Sequence, residues 1–318
     1  MIGKICGTGS SIPNCIVSND DLSALVDTND KWIRERTGVR RRHIVREETT
    51  VSMASEAAKR ALEQGEIAPE EVDLILVSTI SSEVLLPCTA CEVQKEIGAV
   101  NAWAFDLNAA CTGFLFAFHT AQAYIEAGMS RVALVIGAES LSNLVNWQDR
   151  STCILFGDGA GAAVLKAREG QKYAGVSHSD GWKGDALICP SYFGKKASPE
   201  SLPPFIQMDG QQVFKFAVRK VPEVILELLE KEDVRTEEID YFILHQANKR
   251  IVEAVAKRLR TDIGKFPMNL EEYGNTSSAS IPILLDEMNR AGKLKKGQKI
   301  ILSGFGAGLS WGASLIEW

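Results

Sequence analysis

One cysteine of the chain is placed where it could act as a nucleophile. Cys111 follows an apolar, strand-like run that begins at Trp103, and it precedes a stretch from Phe114 to Gly128 that predicts a helix. The first N–H groups of a helix lack internal partners and carry partial positive charge, which stabilises a thiolate. We therefore predict that the pKa of Cys111 lies below the ordinary value of about 8.5. A lone cysteine is more often a buried core residue, so a catalytic role requires partners elsewhere in the chain.

A histidine and an asparagine offer such partners. The run from Ile239 to Leu244 predicts a strand that delivers His245 at its carboxyl end, where ligand groups gather in α/β sheets. Asn275 stands in a glycine-preceded turn, where a side-chain amide would by itself more often be a cap. His119 is a poor rival because eight residues of helix, about 12 Å, separate it from Cys111. Taken alone, His245 is as consistent with a structural role as with a functional one.

A pair of closely spaced cysteines elsewhere in the chain could belong to a metal site or a redox centre. Cys88 and Cys91 form a C-x-x-C pair, which can be half of a zinc site or a redox centre. A structural zinc site would need about two more ligands in a similar cluster, and the other cysteines are scattered singly. Pro87 and Gly98 bracket a short predicted helix on which residues three apart share one face. We predict ordinary packing for this pair and no metal site.

The glycine-rich segment from Gly157 to Gly161 resembles a dinucleotide fingerprint only superficially. An apolar strand from Ala160 to Leu165 follows it, whereas the fingerprint requires a helix. We predict that these glycines form a tight turn.

The composition is that of an ordinary globular protein. The chain has 318 residues, 45% of them hydrophobic and 24% charged, and its net charge of −6 provides no basic surface for nucleic acid. No apolar run reaches the roughly 18 residues of a membrane span, and the first residues lack a signal-peptide pattern. Seven cysteines, an odd number, then indicate reduced thiols and a cytoplasmic location.

An internal repeat organises the chain. Residues 55–79 match residues 222–246 without gaps, and residues 132–137 match residues 299–304 at the same offset of 167. The recurrence of one offset in two separate blocks implies duplicated halves of similar architecture. Helices alternate with short β-branched runs in each half, which indicates an α/β fold.

The repeat also predicts how the halves contribute to a site. We place the boundary so that residues 1–170 carry the cysteine and residues 171–318 carry the histidine and the asparagine. Ser278 lies 167 residues after Cys111, so the two corresponding helix starts should converge if the halves are related by a pseudo-twofold axis. The stretch 181–204, rich in Gly, Pro and Ser, predicts a long excursion that covers a site.

Five motifs together resemble one enzyme family. They are A-A-C-T-G-F around Cys111, H-Q-A-N from His245, G-N-T-S-S-A-S-I-P around Asn275, G-D-G-A-G-A-A-V-L at 157–165 and G-F-G-A-G-L-S-W-G at 304–312. With the opening segment 27–38, the chain resembles the β-ketoacyl-acyl carrier protein synthase III (β-ketoacyl-ACP synthase III) family over its full length. The resemblance implies the thiolase fold, with five layers in the order α-β-α-β-α, and a homodimer.

The resemblance also implies a reaction and assigns its groups. The Cys111 thiolate would take the acyl group of an acyl-CoA primer such as acetyl-CoA, forming a covalent intermediate. Malonyl-ACP would then lose CO₂, and N–H donors of His245 and Asn275 would stabilise the enolate. Backbone N–H groups of Cys111 and Ala307 would form the oxyanion hole. The family generally has three consecutive glycines at this turn, and Ala307 restricts φ there. The CoA thioester is a substrate, and no cofactor is implied.

Further residues match binding positions of the family. Trp32 and Arg150 match positions that sandwich the adenine, an arrangement that indole and guanidinium groups favour. The neighbours of the nucleotide and the pantetheine are Thr28, Arg36 and Ser151. Phe156 and Leu86 match acyl-pocket positions, with Leu86 reaching in from the partner subunit.

A cationic patch and two alternative functions complete the sequence interpretation. Lys215, Arg250 and Lys257 fit a docking surface for an acidic carrier protein, although a solvated helix face explains them equally well. The resemblance implies synthesis of 3-oxoacyl-ACP, CoA and CO₂ at the start of type II fatty acid synthesis. One alternative is a binding protein that holds CoA thioesters without turnover. The other is a condensing or acyl-transfer enzyme of secondary metabolism with a different acceptor, and the primer's chain length stays open.

Overall fold

Strands and helices alternate along most of the chain, in agreement with the α/β prediction. The computed structural model describes residues 1–170, 172–191 and 204–318. Its strands are β1 (Ile2–Ser11), β2 (Cys15–Ser18), β3 (Arg41–Ile44), β4 (Leu74–Ser78), β5 (Trp103–Leu107), β6 (Val132–Glu139), β7 (Gly159–Arg168), β8 (Ala174–Ser179), β9 (Leu187–Ile188), β10 (Gln207–Met208), β11 (Tyr241–Leu244), β12 (Lys299–Gly306) and β13 (Ser310–Glu317).

The helices range from one turn to more than five turns. They are α1 (Asn19–Ser23), α2 (Asp30–Thr37), α3 (Thr50–Gln64), α4 (Thr89–Ile97), α5 (Gly113–Glu126), α6 (Arg150–Cys153), α7 (Gly210–Lys231), α8 (Lys249–Leu259), α9 (Leu270–Tyr273) and α10 (Ser280–Arg290). None of these described helices is long and apolar enough to cross a bilayer.

Two main sheets carry the architecture. The first has the order β1-β7-β6-β4-β5, in which β4 runs parallel to β5 and β6 and the other pairs are antiparallel. The second has the order β11-β12-β13-β8, in which only β11 and β12 are parallel. Every strand of the first sheet precedes residue 170, and every strand of the second follows it. The boundary of the two predicted halves, 1–170 and 171–318, stays a prediction.

Alternating side chains of the strands build five layers. In β4, Leu74 and Leu76 pack with the central helices α5 and α10, whereas Ile75 and Val77 face the outer helices α3 and α4. Both faces of this strand are buried, as expected for a parallel strand covered by helices. The second sheet packs in the same way between α5 and α10 on one side and α7 and α8 on the other. The order is therefore α-β-α-β-α, which confirms the predicted architecture.

The offset of 167 recurs in the backbone conformation. Short 3₁₀ turns at Ala110–Thr112 and Ser277–Ala279 precede α5 and α10, and β6 and β12 also begin and end at this offset. Ala110 and Ser277 adopt left-handed φ values of 47° and 50° at equivalent positions. The two turns contact each other, so the predicted convergence of the two helix starts is confirmed.

The structure contradicts one local prediction and confirms another. The prediction of a tight glycine turn is wrong for Gly159 and Gly161, which lie inside β7. A Cβ atom on Gly161 would lie 2.6 Å from the backbone nitrogen of Ile283, so the missing side chain lets α10 pack closely against the sheet. The prediction of a short helix after Cys88 is confirmed, because α4 ends at Ile97 and is capped by Gly98 with φ of 75°.

The Cys88 and Cys91 sulfur atoms lie 3.4 Å apart at the start of α4. In the described ranges, no three His, Cys, Asp or Glu side chains are grouped so that they could hold a metal ion. Cys91 also contacts the carbonyl oxygen of Ala104, so this pair packs against the first sheet.

Candidate active site

One cavity of about 230 Å³ brings the three predicted catalytic side chains together. Cys111 lies in the 3₁₀ turn before α5, and His245 follows β11 directly. Asn275 precedes the equivalent turn before α10. All three residues line this cavity, so groups that are up to 164 positions apart in the sequence meet at the junction of the two sheets.

The pKa of Cys111 differs from the prediction. Burial raises it to about 12, and the negative charge of Glu139 acts in the same direction. A hydrogen bond with the Ser277 hydroxyl lowers the pKa but does not offset burial. The prediction of a lowered pKa is therefore wrong for the unliganded protein, because removal of the thiol from water outweighs its position near a helix start. Cys111 rests as a neutral thiol.

His245 is held as a neutral imidazole. Its side chain is buried, and burial lowers its pKa to about 3. The Nδ1 atom lies 2.7 Å from Ser280 Oγ, and the Gln246 N–H donates to this same oxygen at 3.3 Å. In the tautomer in which the Ser280 hydroxyl donates to Nδ1, the imidazole proton lies on Nε2. His245 thus presents an N–H donor.

Backbone bonds fix the amide of Asn275. Its Oδ1 accepts a hydrogen bond of 2.9 Å from the Ser277 N–H. Its own N–H donates to the Leu155 carbonyl at 2.8 Å, and its carbonyl accepts from the Gly157 N–H at 3.1 Å. With Oδ1 occupied, the Nδ2 group is the part of the side chain that is left to donate.

The hairpin between β12 and β13 closes over the cysteine. A Cβ atom on Gly306 would lie 2.9 Å from the Cys111 backbone nitrogen, so only glycine fits there. The positive φ of this turn, 137°, falls on Gly308 and not on Ala307. An alanine therefore costs no backbone strain at position 307, and Ala307 lines the space beside Cys111.

An indole and two guanidinium groups stand at the entrance predicted to hold CoA. The guanidinium carbons of Arg150 and Arg36 lie 4.9 Å and 5.5 Å from the ring centroid of Trp32. Arg150 also donates to the Asp27 carbonyl at 2.8 Å. A base can stack between Trp32 and Arg150 only after this guanidinium moves away from the indole.

Some of the other predicted binding residues line the catalytic cavity, and others lie outside its lining. Arg36 and Ser151 line the catalytic cavity together with Trp32. The Thr28 hydroxyl is buried and has no hydrogen-bond partner among the described residues. Phe156 is buried and lines the cavity, whereas Leu86 is 85% exposed and lies outside its lining.

The predicted cationic patch lies on two neighbouring outer helices. Its members are Lys215 on α7 and Arg250 and Lys257 on α8. All three are exposed, and the Arg250 guanidinium lies 5.5 Å from the ring centroid of Phe214, a residue that lines the catalytic cavity. None of the three forms a salt bridge within the described residues, whereas the neighbouring Lys249 pairs with Glu253 at 3.8 Å.

The sequence prediction missed several residues of this site. The buried carboxyl of Glu139 and the hydroxyls of Ser277 and Ser280 surround the catalytic residues. Glu139 is the repeat equivalent of Gly306, so the offset of 167 contains the signal that could have identified it. The described part of the predicted excursion 181–204 also reaches the site, because Leu187 lines the cavity. Residues 192–203 lie outside the described ranges.

Comparison with known proteins gives one consistent result. Residues 105–181 match the family model described as 3-oxoacyl-[acyl-carrier-protein (ACP)] synthase III, and residues 229–318 match the model of its C-terminal part. The chain is 50% identical over 319 residues to β-ketoacyl-[acyl-carrier-protein] synthase III of Clostridium novyi (strain NT), which covers 99% of the chain and 98% of that relative.

Solved structures agree with this match. The crystal structure of 3-oxoacyl-[acyl-carrier-protein] synthase III from Aquifex aeolicus VF5 has a TM-score of 0.93 at 43% identity, and the match covers 99% of this chain and 100% of that chain. The enzyme from Pseudomonas aeruginosa PAO1 has a TM-score of 0.93 at 37% identity, with coverage of 100% and 98%. These neighbours confirm the thiolase-like fold. The chain therefore belongs to the 3-oxoacyl-[acyl-carrier-protein] synthase III family and is a condensing enzyme of the acyltransferase type.

Proposed function

We propose that the chain condenses an acyl-CoA primer with malonyl-ACP to give 3-oxoacyl-ACP, CoA and CO₂. This is the step that initiates type II fatty acid synthesis. The observation that carries the proposal is one cavity that Cys111, His245 and Asn275 all line. Cys111 takes the acyl group in the first half-reaction and releases it to a carbon nucleophile in the second.

The two donors act on the second half-reaction. Loss of CO₂ from malonyl-ACP leaves an enolate whose negative charge develops on the thioester oxygen. The Nε2–H of His245 and the Nδ2–H of Asn275 donate to that oxygen in a water-poor site, where such bonds are strongest. The enolate carbon then attacks acyl-Cys111. The new carbon–carbon bond forms while the bond between the acyl carbon and the Cys111 sulfur breaks, which returns Cys111 as a thiolate.

The oxyanion of each acyl transfer needs a separate pair of donors. We assign this role to the backbone N–H groups of Cys111 and Ala307. The contact between Gly306 and the Cys111 backbone supports this pairing, because it holds the hairpin against the turn that carries the cysteine.

CoA binds at the entrance marked by Trp32. The adenine stacks between Trp32 and Arg150 once the guanidinium has swung aside, and both contacts are favourable for a base. Arg36 and Ser151, which line the same cavity, contact the nucleotide and the pantetheine. The unpartnered hydroxyl of Thr28 gains a hydrogen-bond partner there.

The acyl chain lies against Phe156, and its far end meets Leu86 of a second copy in a homodimer. The exposure of Val84, Leu85 and Leu86, at 45%, 66% and 85%, supports a partner at this loop. The reaction needs no cofactor, because the thioester supplies the activated acyl group. Seven free cysteines support a cytoplasmic location, and we keep residues 1–170 and 171–318 as the two duplicated halves.

Detection of the acyl-enzyme tests this function. The protein is incubated with acyl-CoAs of increasing chain length, and its intact mass is measured before and after malonyl-ACP is added. We expect one acyl group on Cys111 with a short primer and its loss to 3-oxoacyl-ACP upon challenge. A protein that binds acyl-CoA without becoming acylated would contradict the proposal.

The carrier protein is expected to dock on the cationic patch. Changing Arg250 to Glu reverses a charge beside the cavity, so KM for malonyl-ACP should rise, and the rise should shrink as salt screens the encounter. Acylation by a small acyl-CoA should change little, because Trp32 and Arg150 hold CoA. Steady-state kinetics at low and high ionic strength measure both effects.

A matched control separates docking from net charge. Lys59 is exposed on α3 in the opposite outer layer, and Lys59→Glu makes the same change in net charge without touching the patch. An Arg250→Glu defect that is independent of salt, or equal for both substrates, would show that Arg250 is structural or part of the CoA site.

A further inference from the structure

A buried carboxyl lies behind the nucleophile and has no part in the reaction as described so far. Glu139 is the last residue of β6 and has no exposed surface. Its Oε2 accepts hydrogen bonds from the Ile80 N–H at 3.1 Å and from the Ser81 hydroxyl at 2.6 Å. Its Oε1 accepts from the hydroxyls of Ser277 at 3.1 Å and Ser278 at 3.2 Å. One carboxyl thus joins the end of the first sheet to the turn before α10.

Ser277 connects this carboxyl to the nucleophile. Its hydroxyl donates to Glu139 Oε1, and its presence beside Cys111 acts to lower the pKa of that thiol. Both Ser277 and Cys111 line the apolar space next to Phe156. Ser277 therefore lies between the nucleophile and a carboxyl that has no exposed surface.

The internal repeat indicates that the Glu139 carboxyl does more than occupy space in the core. Its equivalent 167 residues later is Gly306, where a Cβ would come within 3.0 Å of the Cys111 Cβ. At the end of β12 the side chain is absent because the turn that carries the nucleophile occupies its place. At the end of β6 the same place holds a carboxyl that faces Ser278, the equivalent of Cys111.

The reaction needs a proton acceptor that the assigned residues do not supply. Cys111 rests as a neutral thiol with a pKa of about 12, and His245, with a pKa of about 3, holds a second proton poorly. The Asn275 amide does not accept protons at all. Burial raises the pKa of Glu139 to about 7, and its hydroxyl and N–H donors work in the opposite direction. Such a group exchanges protons readily near neutral pH.

We propose that Glu139 receives the Cys111 proton through Ser277 during acylation. The Cys111 proton moves to Ser277 Oγ while the Ser277 proton moves to Glu139 Oε1, so the negative charge passes from the carboxylate to the sulfur. The thiolate attacks the carbonyl carbon of acyl-CoA, the new bond to the Cys111 sulfur forms, and the bond to the CoA sulfur breaks. Transfer back through Ser277 protonates the departing CoA thiolate. Glu139 does not touch the substrate and is therefore a positioning residue.

The direction of the pH dependence follows from this role. Below pH of about 7 the Glu139 carboxyl carries its own proton and cannot accept another, so reaction of the thiol slows about tenfold per pH unit. Above that pH the rate levels off. Cys111 is the titratable side chain that faces Glu139; the other contacts are neutral hydroxyls and an N–H.

The test compares thiol reactivity in four proteins across pH values from about 5 to 9. Peptide mass spectrometry follows alkylation of Cys111 by iodoacetamide, which needs no CoA site, and its acylation by acetyl-CoA. The variants are Glu139→Gln, Ser277→Ala and Asp158→Asn. Asp158 is a matched control, because it is also a fully buried carboxyl with N–H and hydroxyl donors, from Val45 and Ser142.

We expect both rates to fall at least about tenfold at pH 8 in Glu139→Gln and Ser277→Ala, with loss of the inflection near pH 7. Asp158→Asn should lower the melting temperature but keep the inflection. Thermal unfolding checks that each variant is folded. If Glu139→Gln does not fold, Ser277→Ala decides, since it leaves the carboxyl with its other donors.

Three results would settle the inference. A folded Glu139→Gln or Ser277→Ala protein with wild-type rates and inflection would overturn it. Equal losses in Asp158→Asn would also overturn it, by showing a general effect of buried carboxyls. The inference on acylation depends on the proposed function, and the two can fail separately. If alkylation of Cys111 shows the expected pH profile but no acetyl group is taken up from acetyl-CoA, the proton path is supported and acetyl-CoA is rejected as the primer.

Discussion

Replacing Cys111 with Ala is expected to abolish acyl-enzyme formation and condensation, because no bond to the acyl group can form without the sulfur. The variant should keep its fold, since the close contact with Gly306 is made by the backbone and Cβ atoms of Cys111, which alanine retains. His245 and Asn275 remain in place, so decarboxylation of malonyl-ACP should persist. Intact mass after incubation with acyl-CoA, and CO₂ release from malonyl-ACP, measure the two effects.

A second thiol makes the mapping of the acyl group important. Cys189 is exposed and lines the apolar space on the far side of Cys111. Peptide mass spectrometry should therefore place the label, and Cys189→Ser serves as the control that keeps normal acylation. Full acyl labelling in Cys111→Ala would reject the assignment, and a label on Cys189 would move the nucleophile to that residue.

Changing His245 to Ala should reduce decarboxylation of malonyl-ACP by about 10²-fold or more, which is the scale of one lost donor to an oxyanion. Asn275→Ala should have a similar effect. Because the pKa of His245 is lowered to about 3, the imidazole is neutral at any working pH, and decarboxylation should show no inflection from this histidine between about pH 5 and 9. Measurement of CO₂ release separates this half-reaction from acylation.

The half-reactions provide the internal control for this variant. Acylation of Cys111 should suffer less than decarboxylation, since the N–H of His245 acts on the enolate. His178→Ala is a matched replacement, because that ring is half-exposed and bonded to Glu227 at the surface; it should leave both rates unchanged. Equal decarboxylation rates in the wild type and in His245→Ala would remove His245 from this role.

The repeat made the fold and the meeting of the three catalytic residues predictable. A single offset of 167 relates Cys111 to Ser278, and two similar halves packed in one fold bring equivalent helix starts together. The cavity could also be predicted, because His245 ends a strand and strand ends of this type face a common crevice. These inferences use only order and spacing, which a sequence contains.

Burial and close packing could not be predicted in the same way. The pKa of Cys111 was predicted in the wrong direction because a helix start is visible in a sequence and the desolvation of a sulfur atom is not. The spacing of the β7 glycines indicates a turn because their actual partner, α10, lies more than 100 residues away in the sequence. Glu139 was missed because a charged residue at the end of an apolar run usually marks the return to solvent.

The guanidinium that covers Trp32 has a consequence for substrate affinity. Arg150 acts as an intramolecular competitor for the surface that the adenine requires. A stack of this kind at an exposed site is worth about 0.5–1 kcal/mol, so the internal contact should weaken CoA binding by about two- to fivefold relative to a protein with a free indole. The acyl-CoA substrate and the released CoA carry the same adenine, so we expect the contact to weaken the binding of both to the same extent.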